Sequence, residues 1–254
     1  ARRTGAVIVP NCGFDSVPSD LGVLLATDGQ YEGDLEGHMK MQGVMSGGTI
    51  ATCILMATTY ADELKQPFLL GGQPSSFAHS DPVAPVAPTD ARSYWLAPFT
   101  MAPINTRVVR RAAFLAGAGA FRYREFVVAP SETVAAKIAK NYAVPPDKLQ
   151  GLVDAGRLPR PSQGPDEATR ATSWFQLDVV DANDNKVLAT VKGGDPGYDE
   201  TAKMVSVAAI ALATDDPAEL GCRGQGGGWT PASGIGRPLV TRLNAAHMSF
   251  ERFA

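Results

Sequence analysis

Short runs of apolar and β-branched residues, each bounded by polar, glycine or proline positions, predict five strands. They span residues 6–9, 35–42, 121–128, 173–181 and 186–192. The fourth run alternates between polar and apolar side chains, which indicates an antiparallel strand with one buried face. The residues Ala-Asn-Asp-Asn separate it from the fifth run, and this composition is typical of a hairpin turn.

Apolar residues at helical spacing predict most of the remaining elements. Ser46 and Ser131 are suited to accept N–H groups at helix starts. The predicted helices span residues 46–64, 101–116, 132–142, 147–155, 198–214 and 232–245, and another begins near residue 21. The apolar run 44–61 is interpreted as a buried helix, and the proline-rich stretches 66–97 and 158–169 as loops. Together these elements predict an α/β protein with a mixed, largely antiparallel sheet covered by helices.

Composition narrows the class of protein. The chain has 254 residues, of which 44% are hydrophobic, enough for one large domain or one and a half. The net charge of −3 argues against nucleic-acid binding. Three widely spaced cysteines favour a reducing, intracellular compartment, either cytoplasmic or organellar. The histidines at 38, 79 and 247 have no ligand spacing, so no metal site is predicted.

The loop after the first predicted strand carries polar side chains at the start of a helix. Ser19 and Asp20 are interpreted chiefly as helix-capping residues. Cys12, Asp15 and Ser16 lie just past the carboxyl end of a strand, where α/β enzymes bind ligands. A cysteine near a helix N-terminus can have a lowered pKa, but no histidine is close in sequence, so a nucleophilic Cys12 is the weaker alternative.

Two other segments have both a structural and a ligand-binding interpretation. The glycines within residues 44–49 either bring backbone N–H groups to an anion or allow close packing against a neighbour. Arg107 and Arg111 lie one helical turn apart and Arg110 points elsewhere. These arginines form either a solvated, salt-bridged face or a clamp for a carboxylate or phosphate.

The strongest turn signal follows the fifth predicted strand. Residues 193–197 read Gly-Gly-Asp-Pro-Gly and lead through Tyr198 into a helix. Two interpretations are equally supported: Asp195 caps the helix and Tyr198 packs against its neighbours, or the loop faces a ligand. A second glycine-rich stretch, residues 224–228, is predicted to be a flexible loop that leads into a helix starting at Pro231.

Six segments of the chain, in this order, resemble the saccharopine dehydrogenase-like oxidoreductases, a group that includes the bacterial trans-acting enoyl reductases. They are CGFDSVPSDLG, MSGGTIAT, YWLAPFTMAPINTRVVRRAA, FRYREF, VKGGDPGYDETAKM and GGGWTPASGIGRPLVTRL. The resemblance extends from Asn11 to about Phe250, nearly the whole chain. It implies a Rossmann domain that binds NAD(P), followed by a second domain that shapes the substrate site.

One departure from that pattern affects the predicted domains. No GxGxxG follows a strand in this sequence, so the beginning of the protein is expected to be missing. Residues 1–12 are predicted to hold the last strand of the dinucleotide-binding domain, and residues 13–254 the substrate and oligomerisation domain. The helix at about 231–246 is expected to pack back on the Rossmann part. NAD(P) is expected in the complete protein, and no cofactor for this fragment alone.

The resemblance implies hydride transfer to a lipid-like enoyl or carbonyl substrate, although the fragment alone is not expected to be active. The candidates near the cofactor are Cys12, Gly13, Asp15 and Ser16. The candidates for substrate binding are Asp195, Tyr198, Arg107 and Arg111. The candidate proton donors are Tyr198 and Lys203.

The alternative function is a non-catalytic scaffold, a subunit of a larger assembly or a lipid-associated protein derived from the same fold. A saccharopine or lysine-pathway enzyme is a weaker third interpretation. The expected partners are the missing Rossmann portion or another chain, and a homodimer or larger complex. No run of about 18 apolar residues predicts a membrane span, but peripheral association with a lipid droplet or membrane surface remains open.

Overall fold

The computed structural model describes residues 1–72, 80–142 and 144–253. The strands are β1 (Val7–Ile8), β2 (Gly33–Gln42), β3 (Trp95–Pro98), β4 (Phe121–Ala129), β5 (Trp174–Asp181), β6 (Val187–Gly193), β7 (Gly227–Gly228) and β8 (Ser249–Arg252). The helices are α1 (Val17–Ala26), α2 (Gly47–Thr59), α3 (Ala61–Leu64), α4 (Ala102–Leu115), α5 (Glu132–Tyr142), α6 (Pro146–Asp154), α7 (Glu167–Thr172), α8 (Asp199–Thr214), α9 (Pro231–Gly234) and α10 (Arg237–Ala245).

Six strands form one mixed sheet in the order β3-β4-β2-β5-β6-β8. Strand β2 runs parallel to β4, and every other neighbouring pair is antiparallel. The hairpin predicted between residues 173–181 and 186–192 is confirmed as β5 and β6. The α/β class with a largely antiparallel sheet covered by helices is therefore confirmed.

Helix α1 lies across β5 and β6 and buries one side of the sheet. Its Val17 and Leu21 are fully buried in the main core. Gly22 allows the close approach, because a Cβ there would lie 3.2 Å from Val179 and 3.3 Å from Val191. At the other end of the core, α10 packs against α8 and β8.

Strand β1 does not join the large sheet. It pairs in parallel with β7, with Val7 opposite Gly227 and Ile8 opposite Gly228. The glycine-rich stretch predicted to be a flexible loop thus contains a short strand. The helix after it starts at Pro231, as predicted.

Several predicted elements differ from those in the structure. The run 44–61 is not a buried helix, because Gly47 and Ile50 are the buried residues of α2. The helix predicted over 232–245 is divided at Gly236, whose φ of 74° interrupts it. Within the stretch predicted as a loop over 158–169, α7 begins, and β3 lies at the end of the other proline-rich stretch. Residues 73–79 of that second stretch, including His79, lie outside the described residues.

Among the described residues, no helix combines the length and the apolar character needed to cross a membrane.

Candidate functional site

Two loops meet at one edge of the sheet because of the strand directions. β2 and β6 flank the antiparallel strand β5, so both end at the edge where β5 begins. In the loop after β2, a Cβ on Gly43 would lie 3.6 Å from the ring of Pro196 in the loop after β6. This edge of the sheet is the candidate site, and its loops, residues 12–16, 43–46, 160–164 and 193–198, are called the loop cluster below.

The turn before α1 joins the loop cluster through Thr201. The N–H of Phe14 donates to the Thr201 hydroxyl at 3.1 Å, and that hydroxyl donates to the carbonyl of Pro196 at 2.8 Å. Gly13 permits this contact, since a Cβ there would lie 3.1 Å from the Thr201 methyl. The structure therefore brings together two loops, residues 12–16 and 193–198, that are far apart in sequence.

The loop of residues 160–164 is joined to its neighbours through the carbonyl of Gln163. Gln163 O accepts the N–H of Gly47 at 3.0 Å and the hydroxyl of Tyr198 at 3.1 Å. A side chain at Gly47 would overlap the carbonyl of Arg160. The structure therefore supports the close-packing interpretation of the glycine at this position.

Asp195 caps α8 and keeps one oxygen free. Its Oδ2 accepts the N–H groups of Tyr198 at 2.7 Å and Asp199 at 3.2 Å. The residue is only 2% exposed, and its Oδ1 has no hydrogen-bond partner. A buried carboxylate oxygen without a donor is costly in a folded protein. Asp195 thus has a capping role and also offers an acceptor inside the loop cluster.

Lys203 is held close to the same turn. Its Nζ lies 2.8 Å from Oε2 of Glu200 and donates to Oε1 at 3.0 Å. The same Oε1 accepts the N–H of Gly194 at 3.0 Å. The ammonium group is therefore fixed one carboxylate away from the Gly193–Gly194 turn, and its side chain remains 28% exposed.

The environment of Cys12 disfavours a nucleophilic role. Burial and the nearby charge of Asp20 raise the pKa of the Cys12 thiol to about 11. Its Sγ donates to the carbonyl of Val9 at 3.2 Å. At neutral pH the thiol is protonated, so the effect of a helix N-terminus does not prevail here.

Asp15 and Ser16 face in different directions. Asp15 lies at the surface of the turn, where desolvation by surrounding atoms raises its pKa. Ser16 is fully buried at the N-cap of α1 and makes no capping hydrogen bond there. Its hydroxyl instead donates to Asn105 Oδ1 at 3.4 Å. Ser16 therefore connects the turn to the core.

The arginines of α4 lie apart from these loop contacts and have partners in the protein. Arg107 donates to Asp81 at 2.8 Å, and to the carbonyl oxygens of Leu64, Gln66 and Pro103. Arg110 is buried 3.6 Å from Asp81. Arg111 binds the carbonyls of Leu70 and Gly228. These contacts hold residues 64–70 and Asp81 against α4, so we do not include Arg107 or Arg111 in the site proposed below.

Two buried carboxyl groups beneath the 12–16 turn were not predicted as functional residues. Burial raises the pKa of Asp20 to about 7, against hydrogen bonds from the N–H of Ala232 and the side chain of Thr230. Burial likewise raises the pKa of Glu125 to about 7, against three side-chain hydrogen bonds. Asp20 caps α9 rather than its own helix. Buried carboxyls that titrate near neutrality are typical of functional sites.

The four segments of the loop cluster contain no histidine. No group of three or more His, Cys, Asp or Glu side chains in the described residues is arranged to hold a metal ion. His38 is fully buried on the opposite face of the sheet from Tyr123 and Glu125, between the hydroxyl of Tyr94 and Glu36, at 2.9 Å from each. It therefore belongs to a separate structural network.

Apolar side chains remain exposed around the loop cluster. Trp174 is 44% exposed, Val44 49%, Met45 44% and Tyr198 37%. These residues lie in the loops after β2 and β6 and at the start of β5, so they surround the site with apolar surface.

Comparison with known proteins gives relatives named as enoyl reductases. One relative is a Mycobacterium tuberculosis (strain H37Rv) protein whose name places it among the trans-acting enoyl reductases. The two sequences are 31% identical over an alignment of 292 residues, gaps included, which covers 99% of this chain and 68% of the relative. A Mycobacterium bovis protein named trans-acting enoyl reductase is 31% identical, covering 97% and 67% of the two chains. Its Mycobacterium ulcerans counterpart is 29% identical, covering 96% and 66%. No family model and no solved structure matches the chain.

Proposed function

Because this chain belongs to the family of the trans-acting enoyl reductases, we propose that it reduces the carbon–carbon double bond of an enoyl substrate, with NADPH or NADH as hydride donor. The loop cluster is the proposed place of reaction. The observation that carries this proposal is the free Oδ1 of buried Asp195, at the junction of two loops that glycines bring together.

The loop cluster fits the nicotinamide end of such a cofactor. Asp195 Oδ1 can accept a hydrogen bond from the NH2 group of the nicotinamide carboxamide. Gly13 and Gly194 let Thr201 and Glu200 pack closely against these turns, which holds the backbone around Asp195 in place. The sequence lacks the glycine-rich fingerprint for the phosphates, and we assign no residue to them. When bound, the reduced nicotinamide supplies the hydride that adds to the β-carbon of the enoyl group.

Lys203 is the proton donor in this proposal. Addition of hydride to an enoyl group leaves negative charge on the acyl oxygen and the α-carbon. The Lys203 ammonium, held by Glu200 beside the Gly194 turn, stabilises that charge and protonates the α-carbon. Tyr198 is the less suitable donor, because its hydroxyl proton is used in the hydrogen bond to Gln163 O.

The apolar surroundings of the loop cluster suit an acyl chain. Val44, Met45 and Trp174 are each more than 40% exposed beside the site. We propose that they contact the carbon chain of a lipid-like enoyl substrate.

We also keep as a proposal the division of the chain into two domains after residue 12, since β1 and β7 form a sheet separate from the large one.

Replacing Lys203 with methionine is expected to lower the rate of reduction. The apolar side chain keeps the length of lysine and removes the proton, so kcat should fall about 100-fold while KM for NADPH changes little. Oxidation of NADPH in the presence of a trans-2-octenoyl thioester measures the rate. Lys186→Met, in the β5–β6 hairpin, is the matched control. Equal loss in both variants would refute a specific role for Lys203.

Replacing Asp195 with asparagine tests the acceptor separately from the cap. The asparagine oxygen still accepts the N–H groups of Tyr198 and Asp199, while its NH2 group replaces the free Oδ1. We expect NADPH to bind about tenfold more weakly or worse, because a donor now faces a donor.

The binding is measured by thermal shift. A saturating cofactor stabilises the folded chain by about 2.7 kcal/mol at 100 times Kd, which raises Tm by about 5 °C. Asp195→Ala also loses the cap and should lower Tm without ligand, whereas Asp195→Asn should not. These assays use the complete protein, because the chain alone is not expected to bind NAD(P) or to be active. Complete wild-type protein that shows neither a shift nor reduction with NADPH and NADH would sink the proposed function and favour a non-catalytic role.

A further inference from the structure

A chain of buried hydrogen bonds leads from the loop cluster into the core. Ser16 donates to Asn105 Oδ1 at 3.4 Å, and Asn105 Nδ2 donates to Glu125 Oε2 at 2.7 Å. The other oxygen of Glu125 accepts the hydroxyls of Ser19 at 2.5 Å and Tyr123 at 3.0 Å. Each of these side chains is at most 1% exposed. Three elements, α1, α4 and β4, thus meet at one carboxylate.

We propose that Glu125 is a positioning residue of the site: through Asn105 and Ser16 it fixes the turn of residues 12–16, and the turn changes when Glu125 gains a proton. The inference rests on the proposed function only in what the turn does, not in its connection to Glu125. It gives a role to a carboxyl group that touches neither cofactor nor substrate.

The direction of the hydrogen bonds explains the coupling. An ionised carboxylate only accepts, so the Ser19 hydroxyl, the Tyr123 hydroxyl and the Asn105 amide must all donate to it. The Asn105 oxygen then faces Ser16 and accepts the hydrogen bond from its hydroxyl. A proton on Oε2 makes that oxygen a donor, and the Asn105 amide must turn to present its own oxygen. Its NH2 group then faces Ser16, whose hydroxyl changes from donor to acceptor.

Ser16 is placed to pass that change on. It is the N-cap of α1, where a hydroxyl ordinarily accepts an N–H of the first turn, yet it makes no such bond here. When the Ser16 hydroxyl no longer donates to Asn105, it can donate a hydrogen bond to another group in the 12–16 turn. Phe14, two residues earlier, is the residue bound to Thr201 of α8. The change therefore reaches the contact between the two loops.

The charged groups around Glu125 set the pH range. Burial raises the pKa of Glu125 to about 7, and the charge of Asp81 acts in the same direction. On α1, Asp20 lies close enough for its charge to raise the pKa of Tyr123, although burial is the larger cause. On α4, the Arg110 guanidinium lies 3.5 Å from the Tyr123 carbonyl. Arg107 on α4 pairs with Asp81. The opposing residue on β2 is Gly37, which carries no charge.

Hydrogen exchange of the amides in residues 12–20 tests the proposal without any assay of reduction. The reference protein is the full chain carrying Asp20→Asn, so that Asp20 does not titrate, and the variants below are made in that background. Its amides in residues 12–20 that exchange by local opening should change their protection, relative to intrinsic exchange, about tenfold between about pH 6 and pH 8. Glu125→Gln cannot titrate and should hold that ratio within about twofold. Ser16→Ala keeps the carboxyl and cuts the last link, so it should also flatten the response. Glu36→Gln, a buried carboxyl change on the opposite face, should retain the change of the reference protein.

The outcomes separate this proposal from the proposed function. A pH step present in Ser16→Ala as in the reference protein overturns the role of Glu125, even if Glu125→Gln fails to fold. No step in the reference protein overturns it as well. If the step is found and NADPH still reduces no octenoyl thioester, the positioning network stands and the proposed reaction fails. Where reduction is observed, the pH profile of kcat should lose its inflection near pH 7 in Glu125→Gln.

Discussion

Replacing Gly37 with alanine is expected to destabilise the protein by about 3 kcal/mol or more, because the position has no room for a side chain. A Cβ there would overlap the Tyr123 hydroxyl, and it would lie 3.0 Å from the ring carbon that carries it. Tyr123 is fully buried and cannot retreat to solvent. Overpacking of this kind costs about 1–3 kcal/mol, and a Tyr123 hydroxyl displaced from Glu125 adds about 1–3 kcal/mol.

The gain in strand propensity does not offset this cost. Alanine in a strand is favoured over glycine by only about 0.5–1 kcal/mol. The measurement is the free energy of unfolding from urea titrations. Gly119→Ala is the matched control, since no atom lies within 4 Å of a Cβ at that position. Its free energy of unfolding should stay within about 0.5 kcal/mol of wild type.

A double-mutant cycle identifies the cause. In a Tyr123→Phe background the hydroxyl is absent, so Gly37→Ala should cost at least 1 kcal/mol less, roughly the coupling expected of contacting residues. Additive effects of the two substitutions would show that the Tyr123 hydroxyl is not what Gly37 accommodates. A Gly37→Ala protein with the wild-type midpoint would contradict the packing of β2 against β4 altogether.

The strands of the sheet were largely predictable because their patterns are local. The alternation in residues 173–181 and the turn residues after it specify β5, β6 and their pairing. β3 and β8 were not predicted, since each has four residues and depends on β4 or β6 for its hydrogen bonds. β7 consists of two glycines, which have no strand propensity, and exists through its pairing with β1.

The meeting of the loops could be inferred only in part. Ligand-type loops at residues 12–16 and 193–198 were evident from glycine, proline and strand ends, but their contact requires the strand order. Glu125 carried a usable signal: it shares a strand face with Phe121 and Tyr123 at a period of two, which predicts a buried carboxyl. The sequence could not decide between a salt-bridged face and an anion clamp for the arginines of α4, because their partner Asp81 lies over 20 residues away in sequence.

Asp20 shows why helix capping is hard to assign from sequence. Its place in the first turn of a helix suggested that it caps that helix. In the fold its Oδ2 accepts the N–H of Ala232 at 2.7 Å, across 212 residues. Ser16, four residues earlier, is the N-cap of α1. The local pattern identified a capping residue correctly but gave no information about which helix it caps.

Replacing Asp20 with asparagine should remove a large part of the pH dependence of stability. Burial raises the pKa of Asp20 from 3.8 to about 7 in the folded protein. A raised carboxyl pKa gives stability that is fully present below pH 3.8 and is lost as the pH rises through about 7. The shift corresponds to about 4 kcal/mol. Glu125 acts in the same direction, so both carboxyls make the wild type less stable at pH 8 than at pH 5.

Urea titrations between pH 5 and pH 8 measure this dependence. Asparagine is neutral throughout and its oxygen still accepts the N–H of Ala232, so the variant should gain stability relative to wild type as the pH rises. The comparison uses the change with pH, which is insensitive to any constant cost of the new NH2 group. Asp62→Asn is the control: that carboxyl is fully exposed, and a hydrogen bond from Lys65 lowers its pKa. Its contribution has the opposite sign and lies below about pH 4, outside the titrated range. An Asp20→Asn protein that loses stability with pH as steeply as wild type would show that Asp20 is already ionised in the fold, and that the N-terminus of α9 accommodates its charge.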